Sequence, residues 1–177
     1  MIVGDDMGLL IEKDIVLKTL RRMSHEIIEK NEDLKEVILF GIMSKGYPLA
    51  KIIQENIKLY EGIDLECHPL DISSYRDDEK KSNSVNPELN VDNKICILID
   101  DVLYTGRTAR AAMDALVDFG RPKKIQLGVL IDRGHRELPI RPDYVGKNVP
   151  TSREESILVQ ITGETPGVYI NKKVDTL

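Results

Sequence analysis

The chain has 177 residues, of which 41% are hydrophobic and 31% charged, a composition typical of one globular domain and unlike that of a disordered chain. Its formal net charge of −5 argues against a general nucleic-acid coat protein, although it permits a local basic patch. No apolar run reaches the ~20 residues of a membrane helix, and the first residues are acidic where a secretory signal is basic. We therefore expect a cytoplasmic protein with no membrane partner.

The first half of the chain predicts two amphipathic helices separated by a buried strand. Apolar residues recur at helical spacing from Val16 to Ile27, and Asp14 is a candidate N-cap. Residues 36–40 (EVILF) are typical of a buried strand. They lead into the loop 41–46 (GIMSKG), and Pro48 suits the first turn of the next helix.

The second half predicts further strands and one more helix. Residues 65–72 read as a weaker strand, and Pro69 places it at a sheet edge. Residues 76–93 are polar and nearly free of large apolar side chains, which favours a mobile lid. Buried strands are predicted at 95–99, 125–131 and 157–161, and a helix at 108–119. The tail, about 162–177, predicts no element.

Strands that alternate with helices, and that are apolar on both faces, indicate an α/β fold with a mainly parallel sheet flanked by helices. We expect one domain over residues 1–177. Ligands of such sheets bind beyond the carboxyl ends of the strands. The loops that begin at Gly41 and Asp100 are therefore the expected locations of the functional site.

The segment from Cys96 to Ala109 reads C-I-L-I-D-D-V-L-Y-T-G-R-T-A. A buried strand brings two adjacent carboxylates, Asp100 and Asp101, to its carboxyl end, and residues 105–108 (T-G-R-T) open a helix. Backbone N–H groups at a helix N-terminus, together with a glycine and nearby hydroxyls, form a phosphate site. The acids repel phosphate but suit sugar hydroxyls or a hydrated Mg²⁺. The segment therefore predicts a ribose 5-phosphate site.

Other phosphate-binding classes fit less well. The sequence contains no G-x-x-x-x-G-K-[ST] motif of P-loop NTPases and no G-x-G-x-x-G motif of dinucleotide-binding folds. A receiver-type signalling domain also places paired acids at strand ends, but it does not require the T-G-R-T run. A structural role for the acid pair and the glycine would explain a lone D-D, and it does not explain the whole string.

The two cysteines, Cys67 and Cys96, lie in strand-like runs and are expected to be buried, reduced thiols. Cys67 precedes His68, which resembles half of a metal site. A second Cys/His pair at zinc spacing is missing from the sequence, so no zinc site is expected.

The string I-D-D-V-L-Y-T-G-R-T resembles the PRPP motif of type I phosphoribosyltransferases. Further stretches resemble the PyrR family of pyrimidine operon attenuation regulators that are also uracil phosphoribosyltransferases. They are H-E-I-I-E-K-N, S-Y-R-D-D, A-A-M-D-A-L-V-D-F-G-R-P, D-R-G-H-R-E-L-P-I-R and Y-V-G-K-N-V-P-T-S. The resemblance covers roughly residues 18–160. It implies a type I phosphoribosyltransferase fold with a mobile lid at 76–93.

The resemblance also implies a role for each matching residue in the reaction of uracil with PRPP to give UMP and diphosphate. Asp100 and Asp101 would hold the ribose hydroxyls of PRPP or UMP, and Mg²⁺ through water and PRPP. The 5-phosphate would lie against Thr105, Gly106, Arg107 and Thr108, with Val102, Leu103 and Tyr104 completing this segment.

The resemblance implies that the other reactant groups bind on neighbouring loops. Ser44 and Lys45 would face the pyrophosphate, and Arg133 would lie at the diphosphate side. Backbone near Ile157 would read the uracil edge. Asp100, Asp101 and Arg133 would be the catalytic residues.

An RNA-binding surface is the second implication of the resemblance. The matching basic positions are Arg21, Arg22, His25, Arg136, Arg141 and Lys147. Taken singly, each is as well explained as a solvated charge. The implied partners are a pyrimidine operon mRNA leader, PRPP, uracil, and UMP or UTP, with no DNA. A homodimer or higher homo-oligomer is expected.

One loop departs from the family pattern. It typically reads G-I-K-T-R-G in the family and reads G-I-M-S-K-G here, so that Met43 removes a positive charge and Lys45 replaces a bidentate guanidinium. We therefore expect reduced enzyme activity. Two alternatives remain open at this point: a nucleotide-sensing regulator without catalysis, and a salvage phosphoribosyltransferase for another base without an RNA role.

Overall fold

The computed structural model describes residues 7–75 and 88–172. Within them the strands are β1 (Met7–Glu12), β2 (Val37–Ile42), β3 (Glu66–Leu70), β4 (Ile95–Leu103), β5 (Lys124–Asp132), β6 (Tyr144–Asn148), β7 (Glu155–Gln160) and β8 (Gly167–Lys172). The α-helices are α1 (Lys13–Lys30), α2 (Gly46–Glu61) and α3 (Arg107–Val117), and short 3₁₀ turns occupy Leu34–Glu36 and Ser73–Tyr75. None of the helices in the described ranges is long and apolar enough to cross a membrane.

The main sheet has five parallel strands in the order β3-β2-β4-β5-β6. All six residues of β2 are buried, because helices cover both faces of the sheet. β3 is an edge strand, as Pro69 predicts. The α/β class and the mainly parallel sheet expected from the sequence are confirmed.

The helices divide the core into two layers. α1 and α2 cover one face of the main sheet with a cluster that includes Leu20, Met23, Ile27 and Ile53, and α3 covers the other face. The predicted α1 stripe is confirmed, but Asp14 is not its N-cap. Glu12 holds that position without a side-chain hydrogen bond, and Asp14 lies in the first turn, where its charge interacts favourably with the helix dipole.

A second, small sheet is antiparallel, with the order β1-β8-β7. The strand predicted at 157–161 is therefore present as β7, outside the main sheet and followed by another strand. β8 lies within the tail for which the sequence predicted no element. Its Val168 is fully buried and belongs to the same core cluster as α1 and α2, so the small sheet is packed against the domain.

The segment predicted as a lid lies mostly outside the described residues, which omit 76–87. Its last part is described. Val91 is fully buried, and its N–H donates to the Phe119 carbonyl at 3.4 Å. Asn93 N–H donates to the Arg121 carbonyl at 3.0 Å. This end of the segment therefore packs on the core beside the end of α3.

A buried polar cluster fixes β6 at the sheet edge beside α1. The Tyr144 hydroxyl donates to Gln126 Oε1 at 2.6 Å, and Asn31 Nδ2 donates to the Tyr144 oxygen at 3.1 Å. Burial raises the pKa of Tyr144 to about 12, so its hydroxyl stays neutral and satisfies the cluster. Since Asn31 follows α1, the cluster joins the end of α1 to β5 and β6.

Candidate functional site

The candidate site lies at the carboxyl edge of the main sheet, where β2 and β4 end side by side. The loop 43–45 follows β2, and residues 100–108 include the end of β4 and the start of α3. Gly46 brings the two together, since a Cβ built on it would lie 2.2 Å from the Ile99 carbonyl oxygen. Only glycine permits this approach of α2 to β4.

The paired acids belong to the last residues of β4 and do not follow it. Asp101 N–H donates to Asp100 Oδ1 at 2.8 Å, and Val102 N–H donates to Asp101 Oδ1 at 2.8 Å. Both side chains are half-buried. These bonds from the backbone orient the two carboxylates at the edge of the sheet, as the motif predicted.

The turn into α3 has the geometry of an anion site. Gly106 is the N-cap with φ +94°, a left-handed conformation that favours glycine. Arg107 N–H donates to Thr105 Oγ1 at 3.3 Å. A cavity of about 90 Å³ is lined by Asp100, Thr105, Gly106 and Thr108, among others. One of the two predicted acids, Asp100, therefore shares a small cavity at a helix N-terminus with three of the four predicted phosphate-binding residues, whereas Asp101 and Arg107 do not line it.

A larger cavity, about 870 Å³, lies between the 43–45 loop and the small sheet. Ser44, Lys45 and Pro48 form one wall, and β7 with the turn 162–165 forms the other. Lys45 Nζ donates to the Val159 carbonyl at 2.9 Å, which joins the two walls. The Met43–Ser44 peptide bond is cis. The sequence did not identify the turn 162–165 as part of the site.

Arg133 is buried, with 7% of its surface exposed. Its guanidinium donates to Thr151 Oγ1 at 2.9 Å, to the Ser152 carbonyl at 3.0 Å and to the Glu155 carbonyl at 2.6 Å. It also lies over the Tyr104 ring, 4.1 Å from the centroid. Arg133 therefore ties the segment that leads into β7 to the 100–108 segment.

Ile157 lies on β7, the edge strand of the small sheet, between the two residues whose carbonyls accept from Arg133 and Lys45. Backbone groups of alternate residues in a strand point to the same side. The N–H and C=O of Ile157 therefore face the same open edge as the carbonyls of Glu155 and Val159.

The loop 133–143, between β5 and β6, lies across the 100–108 segment. The Thr105 carbonyl accepts from Glu137 N–H at 2.9 Å and from Leu138 N–H at 3.1 Å. Glu137 also accepts from Arg107 Nε at 2.9 Å. These contacts were missed from the sequence. The one hint in the sequence was the stretch D-R-G-H-R-E-L-P-I-R, which resembles one family and is not a general feature of the fold.

Arg136 holds this loop in place. Its guanidinium donates to the Tyr104 carbonyl at 2.9 Å, to the Ile140 carbonyl at 3.0 Å and to Asp132 Oδ2 at 2.5 Å. Its side chain is 24% exposed. The structure thus occupies Arg136 with contacts that link the loop to the 100–108 segment.

The six basic positions predicted to bind RNA divide into those that are simply exposed and those whose side chains hold neighbouring elements together. The first group has four members: Arg21, His25, Arg141 and Lys147. Arg22, also exposed, pairs with Glu26 Oε1 at 2.6 Å and donates to the carbonyls of Val145 and Gly146 on β6. Arg22 therefore joins α1 to β6, and these two elements carry most of the predicted surface.

The two cysteines, Cys67 and Cys96, are poor candidates for a catalytic role. Burial raises the pKa of Cys67 to about 11 and that of Cys96 to about 12, so both thiols stay protonated at neutral pH and are poor nucleophiles. Among residues 7–75 and 88–172, no group of three or more His, Cys, Asp or Glu side chains could hold a metal ion.

Comparison with known proteins decides the family. A model of the phosphoribosyl transferase domain matches residues 11–160. The bifunctional protein PyrR of Clostridium kluyveri is 54% identical over 160 residues, covering 88% of this chain and 90% of that protein. Its counterpart from Alkaliphilus metalliredigens is 55% identical over 167 residues, covering 90% of each. The chain belongs to the PyrR family. It therefore carries a phosphoribosyltransferase domain, as the resemblance in its motifs indicates.

Solved structures show the same fold. A hypoxanthine phosphoribosyltransferase from Staphylococcus aureus has a TM-score of 0.73 at 18% identity, covering 95% of this chain and 93% of that one. The enzyme from Trypanosoma cruzi has a TM-score of 0.74 at 11% identity, covering 97% and 94%. At this identity the likeness concerns the fold alone.

Proposed function

We propose that the protein is a UMP-responsive, RNA-binding regulator of pyrimidine gene expression that also forms UMP from uracil and PRPP. Asp100 beside the α3 N-terminus carries the proposal, because it lines one cavity with Thr105, Gly106 and Thr108 and so places a partner for ribose hydroxyls next to partners for a phosphate. Identity above 50% to proteins named bifunctional supports two activities over a nucleotide sensor alone. A salvage enzyme for another base is disfavoured, since the hypoxanthine enzymes share only 11–18% identity.

In this proposal the 100–108 segment binds the part that PRPP and UMP share. Asp100 and Asp101 accept hydrogen bonds from the ribose hydroxyls, and the N–H groups and hydroxyls of residues 105–108 hold the 5-phosphate. The left-handed conformation of Gly106 starts α3, and its missing Cβ leaves room for Leu138 and Ile140 of the loop 133–143. The same segment serves substrate binding and UMP sensing.

Mg²⁺ suits the donor set at this edge. Two adjacent carboxylates supply hard oxygen ligands, and among the described residues they do not belong to a group of three or more metal-ligating side chains. Asp100 and Asp101 would hold the ion through water, with PRPP oxygens supplying its remaining ligands. When bound, the ion neutralises charge on the diphosphate.

The larger cavity receives the diphosphate and uracil. Uracil N1 displaces diphosphate from C1 of PRPP, so the protein mainly orients the reactants and stabilises the separating charge. Ser44, Lys45 and Arg133 supply the hydroxyl and positive charge at the diphosphate side, and Ile157 offers backbone groups to the uracil edge. Lys45 would exchange its Val159 partner for a diphosphate oxygen, whereas Arg133 acts from its buried position.

The RNA surface spans α1, the loop 133–143 and β6. Its exposed side chains contact phosphates and bases, while Arg22 and Arg136 hold the elements that present them; the exposed residues are Arg21, His25, Arg141 and Lys147. A local field of this kind attracts RNA despite the net charge of −5. The lid expected from the sequence at 76–93, of which residues 76–87 lie outside the described residues, would exclude water from the reacting centre.

Calorimetry of UMP and of PRPP with Mg²⁺ tests the nucleotide site. The double substitution Asp101→Asn, Thr105→Ala should abolish binding, because it removes a charged acceptor for ribose and a hydroxyl beside the phosphate. Asp114→Asn is the control, since Asp114 is exposed on α3 away from the cavity, and it should bind as the wild type does. Undiminished binding by the double variant would refute the assignment.

The salt dependence of RNA binding tests the surface separately. Removing Arg141 and Lys147 together should lower affinity for a pyrimidine-leader hairpin and reduce the slope of log K against log salt by roughly one to two. Lys35→Ala, Lys94→Ala removes two charges at the amino edge of the main sheet and should leave the slope unchanged. Equal slopes for the wild type and the Arg141, Lys147 variant would contradict the assignment.

A further inference from the structure

His25 and Tyr60 form an aromatic stack at the seam between α1 and α2. Their ring centroids are 4.3 Å apart and their planes differ by 28°. Tyr60 is 39% exposed and His25 is also exposed. Among the described residues, neither ring belongs to the core clusters. The core between α1 and α2 is formed by other side chains, which include Met23, Ile27 and Ile57. The stack therefore presents aromatic surface to solvent.

The stack is held on a rigid base. Asn56, one turn before Tyr60 on α2, donates from Nδ2 to Ser24 Oγ at 3.2 Å, and Ser24 Oγ donates to the Leu20 carbonyl at 2.7 Å. This contact fixes the register of α1 against α2 directly beside the rings. A ligand that stacks here meets a preformed surface and loses little free energy to ordering it.

The part of α1 that precedes the stack is basic, whereas the exposed Glu29 lies one turn after His25. Arg21 precedes His25 by one helical turn, lies on the same side of α1 and is exposed. α1 carries five Lys or Arg residues against three Asp or Glu residues, and Glu26 is paired with Arg22. An exposed aromatic stack beside the exposed guanidinium of Arg21 suits a ligand that has both π faces and phosphates.

We propose that His25 and Tyr60 form a stacking platform for an unpaired base of the RNA, with Arg21 on the adjoining phosphate. The inference rests on the proposed RNA-binding function and adds Tyr60, which lies outside the basic positions, to the interface. An unpaired base can leave its own strand and stack on an aromatic side chain, whereas bases within a duplex are already stacked. The platform therefore selects a loop or bulge of the RNA.

The experiment titrates a pyrimidine-leader hairpin, with 2-aminopurine placed in turn at each unpaired position, into the wild type, Tyr60→Leu and Tyr60→Phe. Tyr60→Leu should weaken binding by about 5- to 150-fold without changing the salt slope, because no charge is lost. At one position the fluorescence should be quenched by the wild type and by Tyr60→Phe, but not by Tyr60→Leu. UMP binding should be the same for all three.

Leu59→Ala is the matched control, since Leu59 is 77% exposed next to Tyr60 and has no ring; it should bind RNA normally. If Tyr60→Leu keeps the wild-type RNA affinity and the wild-type quenching, the platform is wrong. The salt slopes of the wild type and of the Arg141, Lys147 variant test RNA binding independently of the platform. Absence of RNA binding by the wild type would overturn the proposed function as well. If Tyr60→Leu and Leu59→Ala both change the sedimentation mass and leave RNA affinity intact, the surface joins two copies of the chain and the platform is wrong.

Discussion

Two residues of the 43–45 loop, Met43 and Lys45, set how much positive charge this loop offers to the proposed diphosphate site. Met43 is 43% exposed and uncharged. The Lys45 ammonium donates a hydrogen bond to the Val159 carbonyl at 2.9 Å. A lysine has one charged nitrogen to share between this carbonyl and a ligand. An arginine has five N–H donors in a planar fork and can hold both.

The double substitution Met43→Lys, Lys45→Arg should therefore speed formation of UMP by roughly ten- to a hundredfold, the effect of one added hydrogen bond to a developing charge. UMP affinity should hardly change, because the proposed site for the 5-phosphate and ribose is the 100–108 segment. Steady-state assays of UMP formation and calorimetry with UMP measure the two quantities. Val117→Lys, Lys35→Arg likewise replaces one apolar residue by lysine and one lysine by arginine, at exposed positions outside the site, and should leave both quantities unchanged. If the restored loop is no faster than the native one, the departures are harmless.

Residue types in the site were predictable, but their partners were not. Asp100, Asp101 and Thr105 are close in sequence, so a strand and a helix N-terminus suffice to predict that they meet. Arg133 and Arg136 bind carbonyls supplied by loops at Tyr104, Ile140 and Ser152. A sequence shows their charge and not those acceptors, so the bracing roles emerge only from the tertiary structure.

At the scale of elements, the helices and buried strands with strong periodicity were predictable, and the small sheet was not. The apolar stripe of α1 and the uninterrupted run at the start of β4 have no competing interpretation. β8 is short, begins with a glycine and pairs with β1, about 160 residues earlier. Local sequence contains no information on such a partner, and without it the run V-Y-I is too short to indicate a strand.

β8 should matter for stability because it is the central strand of the small sheet. Val168→Ala should lower the free energy of unfolding by roughly 1–3 kcal/mol, since it removes buried methyl groups and leaves a cavity beside Val159. In a chain of this size the melting temperature should fall by about 2–12 °C. Ile170→Ala, at a half-buried position on the same strand, is the control and should cost less. A smaller loss for Val168 than for Ile170 would mean that the tail does not support the core.

At the scale of the whole molecule, the two proposed activities share one structural support. The loop 133–143 begins at the end of β5, crosses the 100–108 segment and returns to β6, where the exposed Arg141 and Lys147 lie on either side of Tyr144. Arg136 joins Asp132, Tyr104 and Ile140 along this route. If UMP binds at the 100–108 segment as proposed, we expect a change there to reach the proposed RNA surface through these contacts.

UMP should tighten RNA binding, and RNA should raise UMP affinity by the same factor, because coupling between two binding equilibria is reciprocal. Arg136→Ala should bring this factor towards one in both directions, since it removes the link between the loop and the Tyr104 carbonyl. Arg141→Ala is the control: it should lower RNA affinity and leave the factor intact. RNA titrations with and without UMP, and UMP calorimetry with and without RNA, give the two factors. An unchanged factor in Arg136→Ala would place the coupling outside this loop, and RNA binding that ignores UMP would argue against regulation by this nucleotide.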